Sequence, residues 1–135
     1  MAINVGDTGE AELIVTPADT AEALSIDPIE VFPAVFATSR MVALMELAAA
    51  RLMRSLLQKG ELSVGVTIEA RHTAATPVGA RVRAVATYTG RDGKTFLFEV
   101  AAFDEAGAIG SARHSRAIVS TDRLLKAAEK RRSQQ

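Results

Sequence analysis

The sequence predicts an α+β fold in which a five-stranded antiparallel sheet wraps around one long central helix, with a short helix at the C-terminus. Three observations predict it. Residues 39–58 have the spacing of a helix that is apolar almost all round in its first half. From residue 61 the hydrophobic period changes to two, as in strands. The turns that follow are short and contain glycine, which favours antiparallel neighbours.

The first elements precede the long helix. Residues 10–16, Glu-Ala-Glu-Leu-Ile-Val-Thr, predict a first strand that ends before Pro17. Residues 25–37 contain two prolines and several large apolar side chains. Because proline interrupts both helices and sheets, this segment is predicted to be a packed connection or a lid.

The long helix is expected to run from Ser39 to Gln58. Thr38 or Ser39 offers an oxygen for the N-cap, and Lys59 and Gly60 have the character of a helix end. Basic and polar residues appear only in the second half, so the helix should be buried at its start and reach the surface at its end.

A strand from residue 61 is predicted to have one apolar face. That face consists of Leu62, Val64, Val66, Ile68, Ala70 and His72. Further strands are expected at residues 80–89, 94–103 and 108–119, with turns at 90–93 and 104–107. A helix from Asp122 is expected to fray into the charged tail 130–135. The four strands after the helix should form a meander, and an edge strand should pair with a second copy to give a homodimer.

Composition narrows the classes of function. The 135 residues are most simply one domain, 1–135, with a core at about 8–125 and a charged tail at 126–135. Sixteen basic and sixteen acidic residues cancel, so no net charge indicates nucleic acid or an anionic membrane. The chain has no cysteine, which excludes thiolate catalysis and disulfides. Without a signal peptide or a membrane-spanning stretch, a cytoplasmic protein is expected.

Glu46 is the only charged residue in the ten-residue apolar run 41–50. The positions three and four residues away hold Val42, Ala43, Ala49 and Ala50. No basic side chain on the same helix can therefore meet it. Either a distant residue pairs with Glu46, or the carboxylate has a chemical role.

His72 is the other titratable residue on an apolar face. A histidine beside a carboxylate can move a proton near neutral pH, so His72 is expected to meet Glu46, although a satisfied core histidine is the alternative. Thr38 supplies a hydroxyl eight residues before Glu46, which is about 12 Å along the helix axis. Thr38 is an N-cap, a catalytic group, or both.

Two long segments carry a resemblance to a known family. They are Val35-Phe-Ala-Thr-Ser-Arg-Met-Val-Ala-Leu-Met-Glu-Leu-Ala-Ala49, and His72-Thr-Ala-Ala-Thr-Pro-Val-Gly79 after Val64-Gly65. The segment Gly110-Ser-Ala-Arg-His-Ser-Arg-Ala-Ile-Val119 matches as well. Over roughly residues 5–125 the chain resembles the fluoroacetyl-CoA thioesterase family of the hotdog fold.

The resemblance implies an acyl-CoA thioesterase whose active sites lie at a homodimer interface. The family's catalytic threonine, glutamate and histidine fall on Thr38, Glu46 and His72, and the glycine beside the thioester carbonyl falls on Gly65. Arg116 is a candidate contact for the substrate or coenzyme A. Glu46 would attack the thioester carbonyl or activate a water molecule. No metal or redox cofactor is implied; coenzyme A is part of the substrate.

The resemblance also implies a phenylalanine-lined lid ahead of the helix. Phe32 matches one lid position, but Ile29 stands where the family has a second aromatic residue. The expected substrate is therefore a short acyl-CoA whose acyl group is not specified. Phe32 and Phe36 are expected to pack in the lid or the core and to border the substrate.

Simpler interpretations and other functions remain open at this point. His114 and Arg113 are expected to be solvated, as are Arg81 and Arg83 on the polar face of their strand. A glycine inside a strand, such as Gly65, often marks a bulge. The alternative functions are a non-catalytic acyl-CoA binding module and a hotdog enoyl-CoA hydratase or dehydratase.

Overall fold

The structure is a computed structural model and describes residues 2–134. It contains five strands, two α-helices and three short 3-10 turns. The strands and helices are β1 (Thr8–Ile14), α1 (Thr38–Met53), β2 (Glu61–His72), β3 (Arg81–Asp92), β4 (Thr95–Asp104), β5 (Gly107–Ser120) and α2 (Thr121–Ser133). No helix within residues 2–134 is long and apolar enough to cross a membrane. Met1 and Gln135, the ends of the predicted domain and tail, lie outside the described residues.

All five strands form one antiparallel sheet in the order β1-β3-β4-β5-β2. The predicted meander of four strands is therefore wrong for β2, which pairs with β5 instead of β3. The connection at residues 73–80 is too long for a tight hairpin. It crosses the end of the sheet, where Thr73 N–H donates to Ile109 O and the carbonyl of Ala80 accepts from Val15 N–H. The crossing leaves β2 at one edge of the sheet.

Helix α1 lies on the concave face of the sheet, as predicted. Its buried face packs against alternate residues of β3, β4 and β5. The buried helix residues are Met41, Leu44, Met45, Ala48, Ala49 and Met53. Small residues allow α1 and the sheet to approach each other closely. A side chain at Gly9 of β1, for example, would overlap the carbonyl of Ala48. The resulting core excludes water from one side of α1 and leaves Glu46 on another side.

The ends of α1 differ from the prediction. The N-cap is Ala37, which has no capping side chain, and Thr38 is the first helical residue. The α-helix ends at Met53 because residues 54–56 tighten into a 3-10 turn. Thr38 is therefore not the N-cap, and its hydroxyl is available for another contact.

A β-bulge in β2 changes which residues face the helix. Gly65 pairs with Arg116 and Thr67 pairs with Ser115, so Val66 is an extra residue between them. Before the bulge, Ser63 and Gly65 therefore share a face with the later Ile68 and His72. The predicted single apolar face is correct only after the bulge, and Leu62 and Val66 are about half exposed.

The remaining differences concern element ends. β1 starts two residues earlier than predicted, and β3 extends to Asp92, so the β3–β4 turn is formed by Gly93 and Lys94. Helix α2 continues through Ser133 instead of fraying from residue 130. As predicted, residues 25–37 contain no helix or strand.

Candidate functional site

Thr38 and His72 form the first group of candidate residues. The Thr38 hydroxyl lies 2.8 Å from Nδ1 of His72, at the junction between the start of α1 and the end of β2. The His72 ring stands edge-on to Phe36, with 6.5 Å between ring centroids. Nε2 of His72 is buried and has no hydrogen-bond partner among residues 2–134. The Thr38 hydroxyl occupies Nδ1, so Nε2 is the ring nitrogen without a partner within the described residues.

The Thr38–His72 pair opens on a cleft of about 420 Å³. The cleft lies between the segment that precedes α1 and the loop that follows β2. Its lining residues are Ala21, Pro33, Val35, Phe36, Thr38, His72, Thr73, Ala74 and Ala75. Apart from Thr38, His72 and Thr73, the side chains that line it are apolar, so it suits a small uncharged group.

Glu46 lies two turns further along α1 and is paired with a distant residue. Its Oε1 is 3.3 Å from Nη1 of Arg116 on β5. The Glu46 side chain is 39% exposed, so the carboxylate is neither fully buried nor alone. Of the two alternatives left by the sequence, a distant partner is confirmed, and a chemical role is compatible with it.

Gly65 lies directly against the Glu46 carboxylate. A Cβ placed on Gly65 would overlap Oε1 of Glu46 and lie 3.3 Å from Cε1 of His114. Because Gly65 also borders the β-bulge, the expectation of a bulge at this glycine is confirmed. A cleft of about 140 Å³ opens here, lined by Glu46, Gly65, Val66, Thr67, Ile68 and His114. The missing side chain provides room for the Glu46 carboxylate, which therefore reaches this cleft.

Arg116 is 6% exposed, and its guanidinium is engaged with the protein. Nε donates to the hydroxyl of Ser63 at 3.1 Å, and Nη2 donates to the Ser63 carbonyl at 3.0 Å. Nη1 donates to Glu46 and also lies 3.1 Å from Nε2 of His114. Burial lowers the pKa of Arg116 from its usual value, and the charge of Glu46 opposes that shift. These contacts direct Arg116 toward Glu46.

His114 is 3% exposed, so the expectation that it is solvated is wrong. Its Nδ1 lies 2.7 Å from the carbonyl of Thr67. Burial lowers the pKa of His114, the hydrogen bond to Thr67 opposes this, and the Arg116 charge lowers the pKa further. His114 and Arg116 are two residues apart in a strand, and this spacing was the signal in the sequence that their side chains share a face. Arg113, on the other face, is exposed as expected.

The candidate residues therefore form two separate groups in one chain. One contains Thr38 and His72, and the other contains Glu46, Gly65, Arg116 and His114. The predicted contact between His72 and Glu46 is absent within the described chain, because each has a different partner. Gly65 and His72 are about 20 Å apart along β2 from the rise of a strand. A single thioester group is too short to touch both groups.

Of the residues expected in the lid or beside the substrate, Phe36 borders the His72 cleft, whereas Ile29 and Phe32 do not. Phe36 is 1% exposed in the core, whereas Ile29 is 84% and Phe32 is 47% exposed. Ile29 and Phe32 line neither of the two clefts. On the opposite side, Arg81 and Arg83 form exposed ion pairs with Glu12 and Glu10, as expected for a solvated face.

Comparisons with known proteins agree with this architecture. A family model described as fluoroacetyl-CoA-specific thioesterase matches residues 15–122. A fluoroacetyl-CoA thioesterase from Streptantibioticus cattleyicolor is 37% identical over 124 residues, which cover 90% of this chain and 89% of that protein.

Solved structures extend the comparison to the fold. A structure of the fluoroacetyl-CoA thioesterase FlK superposes with a TM-score of 0.89 at 35% identity, covering 96% of this chain and 98% of that one. A thioesterase superfamily member from Thermus thermophilus gives 0.87 at 30% identity, covering 99% and 98%. These similarities confirm the predicted hotdog fold.

Proposed function

Because this chain belongs to the family of fluoroacetyl-CoA-specific thioesterases, we propose that it hydrolyses the thioester of a small acyl-CoA, releasing the free acid and coenzyme A. One observation carries the proposal most strongly. The carboxylate of Glu46 lies against Gly65 at the edge of a cleft of about 140 Å³, and buried Arg116 holds it there. A positioned carboxylate beside open space suits attack on a carbonyl carbon or activation of water.

The backbone around Gly65 is proposed to bind the thioester oxygen. The extra residue of a bulge leaves a peptide group outside the regular ladder of hydrogen bonds. A free backbone N–H at this position would stabilise the negative charge that develops on the carbonyl oxygen. Glycine allows the substrate to approach this backbone closely.

Two routes are compatible with this geometry. In the first, a Glu46 oxygen bonds to the acyl carbon, the C–S bond breaks, and coenzyme A leaves as a thiolate that takes up a proton. Water then cleaves the resulting anhydride and restores Glu46. In the second, Glu46 accepts a proton from water while that water attacks the acyl carbon. The C–S bond then breaks, and the thiolate of coenzyme A takes up a proton. Both routes use only water and groups of the protein.

Thr38 and His72 are proposed to complete the site from a second copy of the chain. β2 is an edge strand in which every residue is at least partly exposed, and exposed edges pair readily. Because the bulge lets residues 66 and 67 occupy one position in the ladder, antiparallel pairing of two β2 strands about an axis at Glu69 would place Gly65 opposite His72 of the partner subunit. Each homodimer would then contain two complete sites, in which the partner subunit's His72 would protonate the leaving thiolate.

The acyl group is proposed to be small. The cleft at Glu46 has a volume of about 140 Å³ and the cleft at His72 about 420 Å³, and only the latter is largely apolar. Fluoroacetyl-CoA belongs in the substrate panel because of the family. Because Ile29 stands where the family has an aromatic lid residue, we expect a weaker preference for fluoroacetyl-CoA over other small acyl-CoA substrates.

The test combines two variants, Glu46→Gln and His72→Ala, and measures thiol release from acetyl-, fluoroacetyl-, propionyl- and benzoyl-CoA. Each homodimeric variant should lose about 100-fold or more in kcat, as for removal of an acid–base group. Co-refolding equal amounts should restore about a quarter of wild-type activity. Half of the dimers are then mixed, and each mixed dimer has one intact site out of two.

The control is Glu99→Gln, which removes an exposed carboxylate on the other face of the sheet and should leave kcat within about twofold. Wild-type protein that binds every acyl-CoA without releasing thiol would instead establish a binding module. Hydration of crotonyl-CoA without thioester hydrolysis would establish a hydratase. Two inactive variants that stay inactive when mixed would contradict the shared site.

A further inference from the structure

The contacts of His114 determine which of its ring nitrogens carries the proton. Nδ1 lies 2.7 Å from the Thr67 carbonyl, which can only accept a hydrogen bond. Nε2 lies 3.1 Å from Nη1 of Arg116, which can only donate. Both contacts are satisfied only by the neutral ring with hydrogen on Nδ1. His114 is therefore an acceptor toward Arg116.

This acceptor uses the second hydrogen of Nη1. One Nη1 hydrogen points to Glu46 and the other to His114, while Nε and Nη2 are held by Ser63. The guanidinium is thus bound on three sides: by β2, by His114 and by the carboxylate. Without the His114 acceptor, the nitrogen that holds Glu46 would lose one of its two partners.

Burial makes the geometry specific. His114 and Arg116 are 3% and 6% exposed, so water cannot readily replace either hydrogen bond. The Phe98 ring of β4 packs near His114, with 6.3 Å between centroids. The charged groups near the imidazole are Arg116 on its own strand and Glu46 on α1. A proton on Nε2 would remove the acceptor and place a cation against the guanidinium.

We propose that His114 is a positioning residue for the thioesterase reaction: as a neutral acceptor it orients Arg116, which holds the Glu46 carboxylate against Gly65. The inference rests on the proposed function, since it assigns a group that prepares Glu46 for reaction. His114 also borders the cleft at Glu46, and the role assigned to it runs through its hydrogen bond to Arg116.

A pair of substitutions separates the two hydrogen bonds of His114. In His114→Gln, the longer amide can place its oxygen near the position of Nε2 and accept from Arg116. In His114→Asn, the shorter amide can still donate to the Thr67 carbonyl but does not reach Arg116. Arg113→Gln, on the neighbouring exposed residue, is the matched control.

The readout is kcat and KM for the best acyl-CoA of the panel, with circular dichroism and thermal unfolding to compare the folds. His114→Gln and the control should keep kcat within about threefold. His114→Asn should lose about 10- to 100-fold in kcat with KM nearly unchanged, because misplacing a reacting group by about 1 Å costs up to about 100-fold. Equal kcat values for the Gln and Asn variants would overturn the proposal.

A measurement on the wild-type protein is independent of the variants. Nitrogen-15 NMR of the imidazole should show hydrogen on Nδ1 and an unprotonated Nε2 at neutral pH. Hydrogen on Nε2, or a charged ring at neutral pH, would overturn the proposal even if the variants fail to fold. If wild type hydrolyses no thioester, the proposed function fails, whereas the tautomer still decides whether His114 can hold Arg116.

Discussion

Gly65→Ala should inactivate the protein while leaving the fold intact. The added methyl group would overlap Oε1 of Glu46, lie 3.3 Å from Cε1 of His114 and lie 3.5 Å from Cδ of Glu46. The backbone of Gly65 is not in the left-handed region, so alanine is sterically allowed there by the chain itself. The conflict is therefore confined to the carboxylate and its neighbours.

The size of the effect follows from the displacement that relieves the overlap. Glu46 must move by about 1 Å for its oxygen to reach ordinary van der Waals distance from the methyl carbon. Such a shift lengthens the 3.3 Å contact with Arg116 and moves the carboxylate away from the thioester position. A displacement of this size lowers kcat by about 100-fold, or about 2.7 kcal/mol in transition-state stabilisation.

The assay measures kcat for thiol release alongside the free energy of unfolding in urea. Gly65→Ala should change stability by less than about 1 kcal/mol, because alanine suits a strand interior better than glycine does. Gly93→Ala is the reciprocal control, since Gly93 has a φ of 60° and open space around it. Alanine there should cost about 1 kcal/mol in stability and leave kcat unchanged.

The opposite pattern would refute the reasoning. If Gly65→Ala hydrolysed acyl-CoA at the wild-type rate, the carboxylate would not need the space beside Gly65. If its kcat fell only in proportion to the unfolded fraction, the glycine would have a structural role alone. The interpretation requires that Gly65→Ala loses kcat and that Gly93→Ala loses stability.

Two further predictions concern stability. Thr76 is fully buried, and its hydroxyl donates to Asp104 at 2.8 Å. Thr76→Val should therefore lower the free energy of unfolding in urea by about 1–3 kcal/mol and leave kcat within about twofold. Unchanged stability would contradict this prediction. The pKa of His114 is lowered from 6.5, so the unfolded chain binds this proton first. Stability should therefore fall as pH drops from about 6.5 toward the folded pKa, by at most about 1.36 kcal/mol per pH unit, and His114→Gln should flatten this dependence. Equal slopes for both proteins would contradict it.

Periodicity and turn residues were sufficient to predict the long helix, the five strands and their antiparallel pairing. Local sequence could not show that β2 pairs with β5, since that contact joins residues about fifty positions apart. The apolar alternation of Leu62, Val64 and Val66 also continues smoothly through the bulge, so it gives no sign that Gly65 turns toward the helix.

The sequence named candidate residues without showing which of them are in contact. Glu46 was recognisable because a charge in an apolar helix needs a partner, and Arg116 was named, although as a contact for the substrate. His114 was interpreted as solvated together with its neighbour Arg113, and nothing local distinguishes the buried face of that strand from the exposed one. Its burial depends on the helix that covers that face.

The sequence by itself determined the class of fold, the family and the chemical types of the residues at the site, because hydrophobic period, turn residues and motif spacing are local properties. Only the tertiary structure decided the partners, which are Thr38 with His72, Glu46 with Arg116, and Arg116 with His114. These contacts depend on strand order, a bulge and the position of α1 over the sheet. Each joins residues far apart in the chain, so packing of the whole domain is what brings them together.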